Sequence, residues 1–343
     1  MSNHQTQPGD NIILDVDDLQ TRFHIHEGIV HAVNGVSFSL KKGETLGIVG
    51  ESGSGKSVSM MSLLKLLPQP PARIASGSAF FYDQEEPVDL LTLSGKEMNW
   101  IRGSRIGMIF QDPLSSLNPL LTVGRQITES LQWHKNMKPK EAEERCIDLL
   151  EDVGISGAKD RYKNYPHQFS GGMRQRVMIA IAIACSPGLV IADEPTTALD
   201  VTVQAQIIEL MARLQKRMGI SVVWISHDLG VVAGLADRVM VMYGGFVAEC
   251  APVEQLYADP RHPYTRGLLG ALPRLDRRNG RKLESIEGTP PNLLNEPKHC
   301  QFVWRCKYAF DRCRQEIPPL YNIGPEHTCA CFYDITNMRP RNE

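Results

Sequence analysis

The chain has 343 residues, 42% of them hydrophobic and 22% charged, and a formal net charge of −2. That balance excludes a wholly disordered chain, leaves room for one large domain with a smaller companion or for two domains, and offers no global basic excess for non-specific nucleic-acid binding. The polar start MSNHQTQPGDN lacks the basic and apolar regions of a secretory signal, so a cytosolic chain is expected.

From Ile12 to about Val49, short apolar stretches alternate with turn signals and read as strands, the last running into the glycine-rich GESGSGKS, Gly50 to Ser57. The following KSVSMMSLLKLLP has helical spacing and is expected to stop at Pro68. KPKEAEERCIDLLEDVG reads as a helix with Pro139 in its first turn, an apolar stripe at Cys146, Leu149, Leu150 and Val153, and Gly154 past its end. Cys146 is thereby expected in the core. The longest apolar run, Val177 to Ala192, is broken by Ser186-Pro187-Gly188 and cannot supply the roughly 20 residues of a spanning helix.

LVIADE and SVVWISHD read as buried strands with the helix VTVQAQIIELMARLQKRM between them, which implies a right-handed crossover in a parallel sheet. Their polar ends then fall at the strand carboxyl ends, where open α/β sheets bind ligands. RVMVMYGGFVAEC carries a Gly244-Gly245 hairpin turn. Beyond it the texture changes to proline, arginine and cysteine, placing a boundary near Pro260 to Leu272.

GESGSGKS fits the phosphate-loop pattern at every position, between a strand and a helix. Its backbone N–H groups, from Gly50, Glu51, Ser52, Gly53, Ser54 and Gly55 onward, are expected to close around phosphate oxygens, with Lys56 reaching the β- and γ-phosphates of ATP and Ser57 ligating Mg²⁺. In LVIADE, Asp193 is placed to hold Mg²⁺ and Glu194 to orient or deprotonate the attacking water. FSGGMRQR adds a second anion-binding helix start at Ser170, Gly171 and Gly172. One nucleotide needs one cradle, so the second points to a nucleotide held by another copy or homologue; a plain helix cap is the alternative.

The ordered set GESGSGKS, FQDP, FSGGMRQR, LVIADEPTTALD and ISHD resembles the ATP-binding cassette family over about Ile12 to Pro263, and wording such as MIFQDPLSSLNP and HPYTRGLLGALPRLD resembles its peptide-importer branch. The resemblance implies an α/β P-loop NTPase with a mixed sheet core, an antiparallel β subdomain and a helical subdomain, followed by a small loop-rich extension. The implied division is a flexible N-terminus at 1–11, a nucleotide-binding domain at 12–265 with its helical subdomain at about 112–184, and the extension at 266–343. It also implies roles. Gln111 couples the site to the helical subdomain and helps hold Mg²⁺; His227 contacts the γ-phosphate and Glu194; Phe23 stacks on adenine; Asp200, with Ser170, Gly171 and Gly172, faces the opposite cassette's ATP. Met173 stands where the common family signature has Gln.

The function implied is ATP hydrolysis driving import of oligopeptides or dipeptides, on the cytoplasmic face of the cell membrane. The implied partners are a second cassette, most readily in a heterodimer, two multi-spanning permease subunits and, indirectly, a peptide-binding protein; no nucleic acid is expected. Two other readings stand beside it: a soluble cassette ATPase acting on nucleic acid, and an ATPase with a redox- or iron-sensing tail.

Five of the eight cysteines crowd the end of the chain. Cys300, Cys306 and Cys313 are spaced C-x5-C-x6-C, wider than zinc-finger pairs, so spacing alone names no metal. The resemblance implies a [4Fe–4S] cluster held by Cys300, Cys306, Cys313 and Cys331, with Cys329 able to substitute for Cys331. Zinc and plain packing of reduced thiols remain open.

Overall fold

The structure, a computed structural model, describes residues 11–84, 86–197, 199–272 and 286–341. Residues 1–10, most of the expected flexible N-terminus, and 273–285, part of the expected extension, lie outside the described residues. Contacts divide the chain into two units: Met1–Leu14, Ser39–Thr45 and Phe80–Ile225 form one, and Asp15–Phe38, Leu46–Ala79 and Ser226–Glu343 the other. None of the described helices is long and apolar enough to cross a membrane.

In the first unit the strand Leu189–Asp193 lies between Ile106–Ile109 and Ser221–Ser226, parallel to both. The crossover helix Val201–Met218 starts at Asp200, whose carboxylate accepts from the Val203 N–H at 2.9 Å, and ends at left-handed Gly219. Its apolar stripe, Ile207, Leu210, Met211 and Leu214, is buried. The helix Pro139–Asp152 buries Cys146, Leu149 and Leu150 completely, with Val153 just beyond it. Proline at its first position costs nothing, because that N–H has no partner within a helix.

In the second unit Thr45–Val49 runs parallel to Arg238–Tyr243, which pairs antiparallel with Phe246–Pro252. The turn between these two is Gly244-Gly245, with φ of 56° and 83°, the positive pair that a two-residue hairpin needs. Two strands from the end of the chain continue this sheet: His327–Cys329 pairs with Phe246–Pro252, and Tyr321–Gly324 with His327–Cys329. A second sheet carries Gly28–Lys41, Ile12–Ile25 and Ala72–Phe81 side by side in that order.

The helix after the glycine-rich loop is shorter than its spacing predicts. It spans Lys56–Leu63, and Lys65 then turns left-handed with φ 50°. The Leu66 N–H donates to the Met61 carbonyl and the Lys65 N–H to that of Ser62, a Schellman closure that ends the helix before Pro68 can.

Candidate functional site: the phosphate loop, the strand-end carboxylates and a cysteine cavity

Gly50 to Ser57 leaves the carboxyl end of the strand Thr45–Val49 and enters the helix Lys56–Leu63. Gly50 has φ 154°, and a Cβ there would sit 2.2 Å from the Met242 carbonyl oxygen, so no other residue fits. Lys56 is buried, and its ammonium donates to the carbonyls of Gly50 at 2.8 Å and Glu51 at 3.0 Å. The cation thus lies across the loop, among the backbone groups that the motif devotes to phosphate. Ser54 is buried with an Oγ that has no hydrogen-bond partner among the described residues, Ser57 is half-buried, and Ser52 and Gly53 are exposed. Phe23 is half-buried on Ile12–Ile25, and His227 is exposed just after Ser221–Ser226.

Glu51 is held on every side. Its N–H donates to the Tyr264 hydroxyl at 2.9 Å, and its two carboxylate oxygens receive Arg305 at 2.7 and 3.0 Å. Tyr264 and Arg305 were not legible as site residues, because both lie more than 200 positions away along the chain.

In the first unit Asp193 is buried at the end of its strand. Glu194 follows with φ 45° and anchors its N–H on the Ile225 carbonyl at 3.0 Å, a left-handed kink at the end of the strand. The Glu194 carboxylate oxygen Oε2 accepts from the Gln111 amide and from the Thr197 hydroxyl, each at 3.0 Å. The structure therefore joins Gln111 directly to Glu194. Thr197 is a further partner that the sequence hid inside PTTALD. Ser170 is exposed and caps the helix Gly171–Ile183 by accepting from the Met173 N–H at 3.3 Å. Gly171 is open around its Cα, Gly172 packs against Val203, and exposed Asp200 serves as the cap already described.

At the end of the chain Cys300, Cys306, Cys313 and Cys331 line one small apolar cavity with Phe302, Val303 and Phe332 among its walls. Burial pushes the thiols of Cys300 and Cys331 up to about 12 and that of Cys306 up to about 11. Backbone N–H groups of Phe302 and Val303, of Tyr308, and of Tyr333 point at these three sulfurs and pull the other way. Such donors favour the ionised sulfur that a ligand must present. Cys329 faces elsewhere: it is fully buried on His327–Cys329 opposite Glu249, and its thiol is raised by burial and then by that carboxylate. Of the two alternatives, Cys331 joins the other three cysteines. Among the described residues, no group of three or more His, Cys, Asp or Glu is arranged to hold a metal ion.

Comparison with known proteins fits both parts of the chain. The family model described as ABC transporter matches residues 33–197, and that of the oligopeptide/dipeptide transporter C-terminal region matches 248–313. The oligopeptide transport ATP-binding protein OppD of Bacillus subtilis is 51% identical over 92% of this chain and 87% of its own length. The dipeptide transport ATP-binding protein DppD of the same organism is 50% identical over 93% and 94%. Among solved structures, the ATP-binding cassette MJ0796, a dimer in a post-hydrolysis state bound to ADP and Pi, aligns with a TM-score of 0.62 and 28% identity over 70% of this chain and 99% of its own. Neither the nucleic-acid reading nor the iron-sensing one draws support from these matches.

Proposed function

Because this chain belongs to the ATP-binding cassette transporter family, as an ATP-hydrolysing subunit of the peptide-importer type, we propose how its own residues divide the work. The observation that carries the reading is the buried Lys56 ammonium lying across the Gly50 and Glu51 carbonyls, inside a loop shaped by glycine. Arriving phosphate oxygens replace those carbonyls as its partners. The N–H groups of Gly50 to Ser57 bind the β- and γ-phosphates, and Phe23 stacks on the adenine. Ser57, Asp193 and Gln111 would hold the Mg²⁺ that accompanies ATP, and the ion would supply positive charge against the charge that develops on the transferred phosphoryl group.

Glu194 accepts the proton of the attacking water, and His227 steadies the γ-phosphate. The hydrogen bonds from Gln111 and Thr197 aim the Glu194 carboxylate. Ser170, Gly171, Gly172 and Asp200 serve ATP bound by a second cassette, in a heterodimer working with two permease subunits at the cytoplasmic face of the inner membrane. Residues 12–265 form the cassette, with the helical subdomain at about 112–184, and 266–343 the extension.

The four cavity cysteines, Cys300, Cys306, Cys313 and Cys331, would hold a [4Fe–4S] cluster. They line one cavity, and backbone N–H groups at three of the sulfurs favour the thiolates that such a group takes as ligands. When bound, such a group would tie four thiolates together and staple the end of the chain, with no electron needed by ATP hydrolysis.

The test is Glu194→Gln in the assembled importer. It is expected to keep ATP binding and to lower hydrolysis by at least ~10²-fold, the scale of lost general-base help. Hydrolysis near the wild-type rate would remove Glu194 from this role.

A further inference from the structure

A fully satisfied cation beside the phosphate loop comes from the far end of the chain. Arg305 has a side chain only 6% exposed, and all five of its N–H donors are used. The Nε donates to the Glu287 carbonyl at 3.0 Å. One terminal nitrogen donates to Glu51 Oε2 at 2.7 Å and to the Tyr243 hydroxyl at 3.2 Å. The other donates to Glu51 Oε1 at 3.0 Å and to the Ile286 carbonyl at 3.3 Å. The guanidinium also lies over the rings of Tyr243 and Phe302, at 5.7 and 6.0 Å from their centroids. Every polar direction of the fork is fixed, so the carboxylate it grips is fixed too.

That carboxylate belongs to the second residue of GESGSGKS. The Tyr264 hydroxyl takes the N–H of the same residue, and Tyr264 is completely buried, with its ring 4.6 Å from that of Tyr243. The Glu51 carbonyl is one of the two that receive Lys56. A single loop residue therefore carries the phosphate-binding lysine on its carbonyl and two C-terminal anchors on its N–H and side chain.

We propose that Arg305 is a positioning residue for ATP binding: by its two-pronged grip on Glu51, the C-terminal region holds the phosphate loop in the shape that receives nucleotide. The proposal rests on reading Gly50–Ser57 as the phosphate loop. It does not depend on what occupies the cysteine cavity. Its consequence is that the C-terminal region acts on the nucleotide step directly, through a loop residue. A fastener that only kept the end of the chain in place would act on stability alone.

The test titrates a fluorescent, non-hydrolysable ATP analogue with Mg²⁺ into the full-length chain, and follows thermal unfolding without nucleotide in parallel. Arg305→Met is expected to weaken nucleotide affinity about tenfold, the scale of a lost charge-assisted bidentate contact. Arg305→Lys, which keeps the charge but not the fork, is expected to recover only part of that loss. Glu51→Gln is expected to weaken affinity as well, and Arg305→Met added to it to cost little more. In the assembled importer, kcat at saturating ATP is expected to stay within about twofold while KM rises.

Unchanged affinity in a folded Arg305→Met chain, with only its unfolding temperature lowered, would reduce Arg305 to a fastener and overturn the proposal. Additive losses in the double variant would do the same, and so would full recovery by lysine. If Arg305→Met does not fold, Glu51→Gln alone decides, and unchanged affinity there is fatal. Lys56→Ala separates the two layers. Retained nucleotide binding in that variant sinks the phosphate-loop reading and this proposal together, whereas binding lost there but intact in Arg305→Met overturns only the grip of Arg305.

Discussion

The phosphate loop and the cysteine cavity are both made of short, sharply turned backbone, yet they treat their polar groups in opposite ways. At the loop, charge is kept ready: Lys56 is buried but ionic, spread over two carbonyls, and exposed Ser52 and Gly53 keep a way in from solvent. At the cavity, charge is held off, and burial keeps the thiols of Cys300, Cys306 and Cys331 neutral, up to about 12 for the first and last. The first arrangement suits a ligand that arrives and leaves with each turnover, because polar partners can be exchanged at little cost. The second suits either a permanent occupant or none, because an unpaired thiolate in an apolar wall is expensive. Two sites fed by one sheet can thus be sorted by how they manage desolvation.

The harshest way to break the loop side of this contrast is Gly50→Ala. Its Cβ would meet the Met242 carbonyl at 2.2 Å in a backbone region reserved for glycine, so a loss of more than about 3 kcal/mol is expected, together with nucleotide binding. Thermal unfolding and nucleotide titration check it, and a wild-type profile in both would show that the loop tolerates a side chain.

The buried side is sharpened by pH. His262 is buried beside Glu249, and burial lowers its pKa from the usual value to about 4, against the opposing pull of that carboxylate. Below the ordinary histidine pKa of about 6.5 the unfolded chain takes a proton that the folded chain refuses, so stability falls as pH drops from about 6.5 towards 4 and levels off below. The contribution amounts to roughly 3 kcal/mol at most. Urea titrations of wild type and His262→Gln across that window check it, and equal pH slopes for the two would remove His262 as the source.

Within the cavity itself, Cys331→Ser and Cys329→Ser separate the lining thiol from its neighbour. After anaerobic purification the first is expected to lose bound iron, and the second to retain about four irons per chain. Iron lost equally from both would erase the distinction between them, and iron absent from the wild type would return all five tail cysteines to packing. The smallest effect belongs to Asp200→Ala, which removes a helix cap and should cost about 1 kcal/mol in chemical denaturation. No change in midpoint would mean that the Val203 N–H finds water instead.

The loop side was legible because its chemistry is local. GESGSGKS names its own turn, cradle and cation within eight residues, and LVIADE carries its carboxylates at a strand end by apolar periodicity alone. What escaped depends on long-range closure. Nothing near Arg305 marks it as a partner of Glu51, 254 positions away. The preference for Cys331 over Cys329 comes from the resemblance and not from the residues of HTCAC; the strand register that turns Cys329 towards Glu249 is a long-range feature. The early end of the helix after the loop was missed for a local reason: Lys65 adopts a left-handed conformation that favours glycine or asparagine, so the usual stop signal was absent.

The strand His327–Cys329 lies alongside Phe246–Pro252, whose residues Val247 to Ala251 are all buried, and Tyr321–Gly324 lies outside it in turn. Cutting the chain after the last helix of the cassette would not yield a smaller working cassette. It would strip a neighbour from an apolar strand and leave the Glu249 carboxylate, fully buried and 2.8 Å from His327 Nε2, without that partner. Bare edges of this kind invite pairing with other chains. The end of the polypeptide therefore works as a selvedge: it finishes the border of the sheet, and a truncated chain is expected to aggregate before its enzymology can be compared with that of the whole.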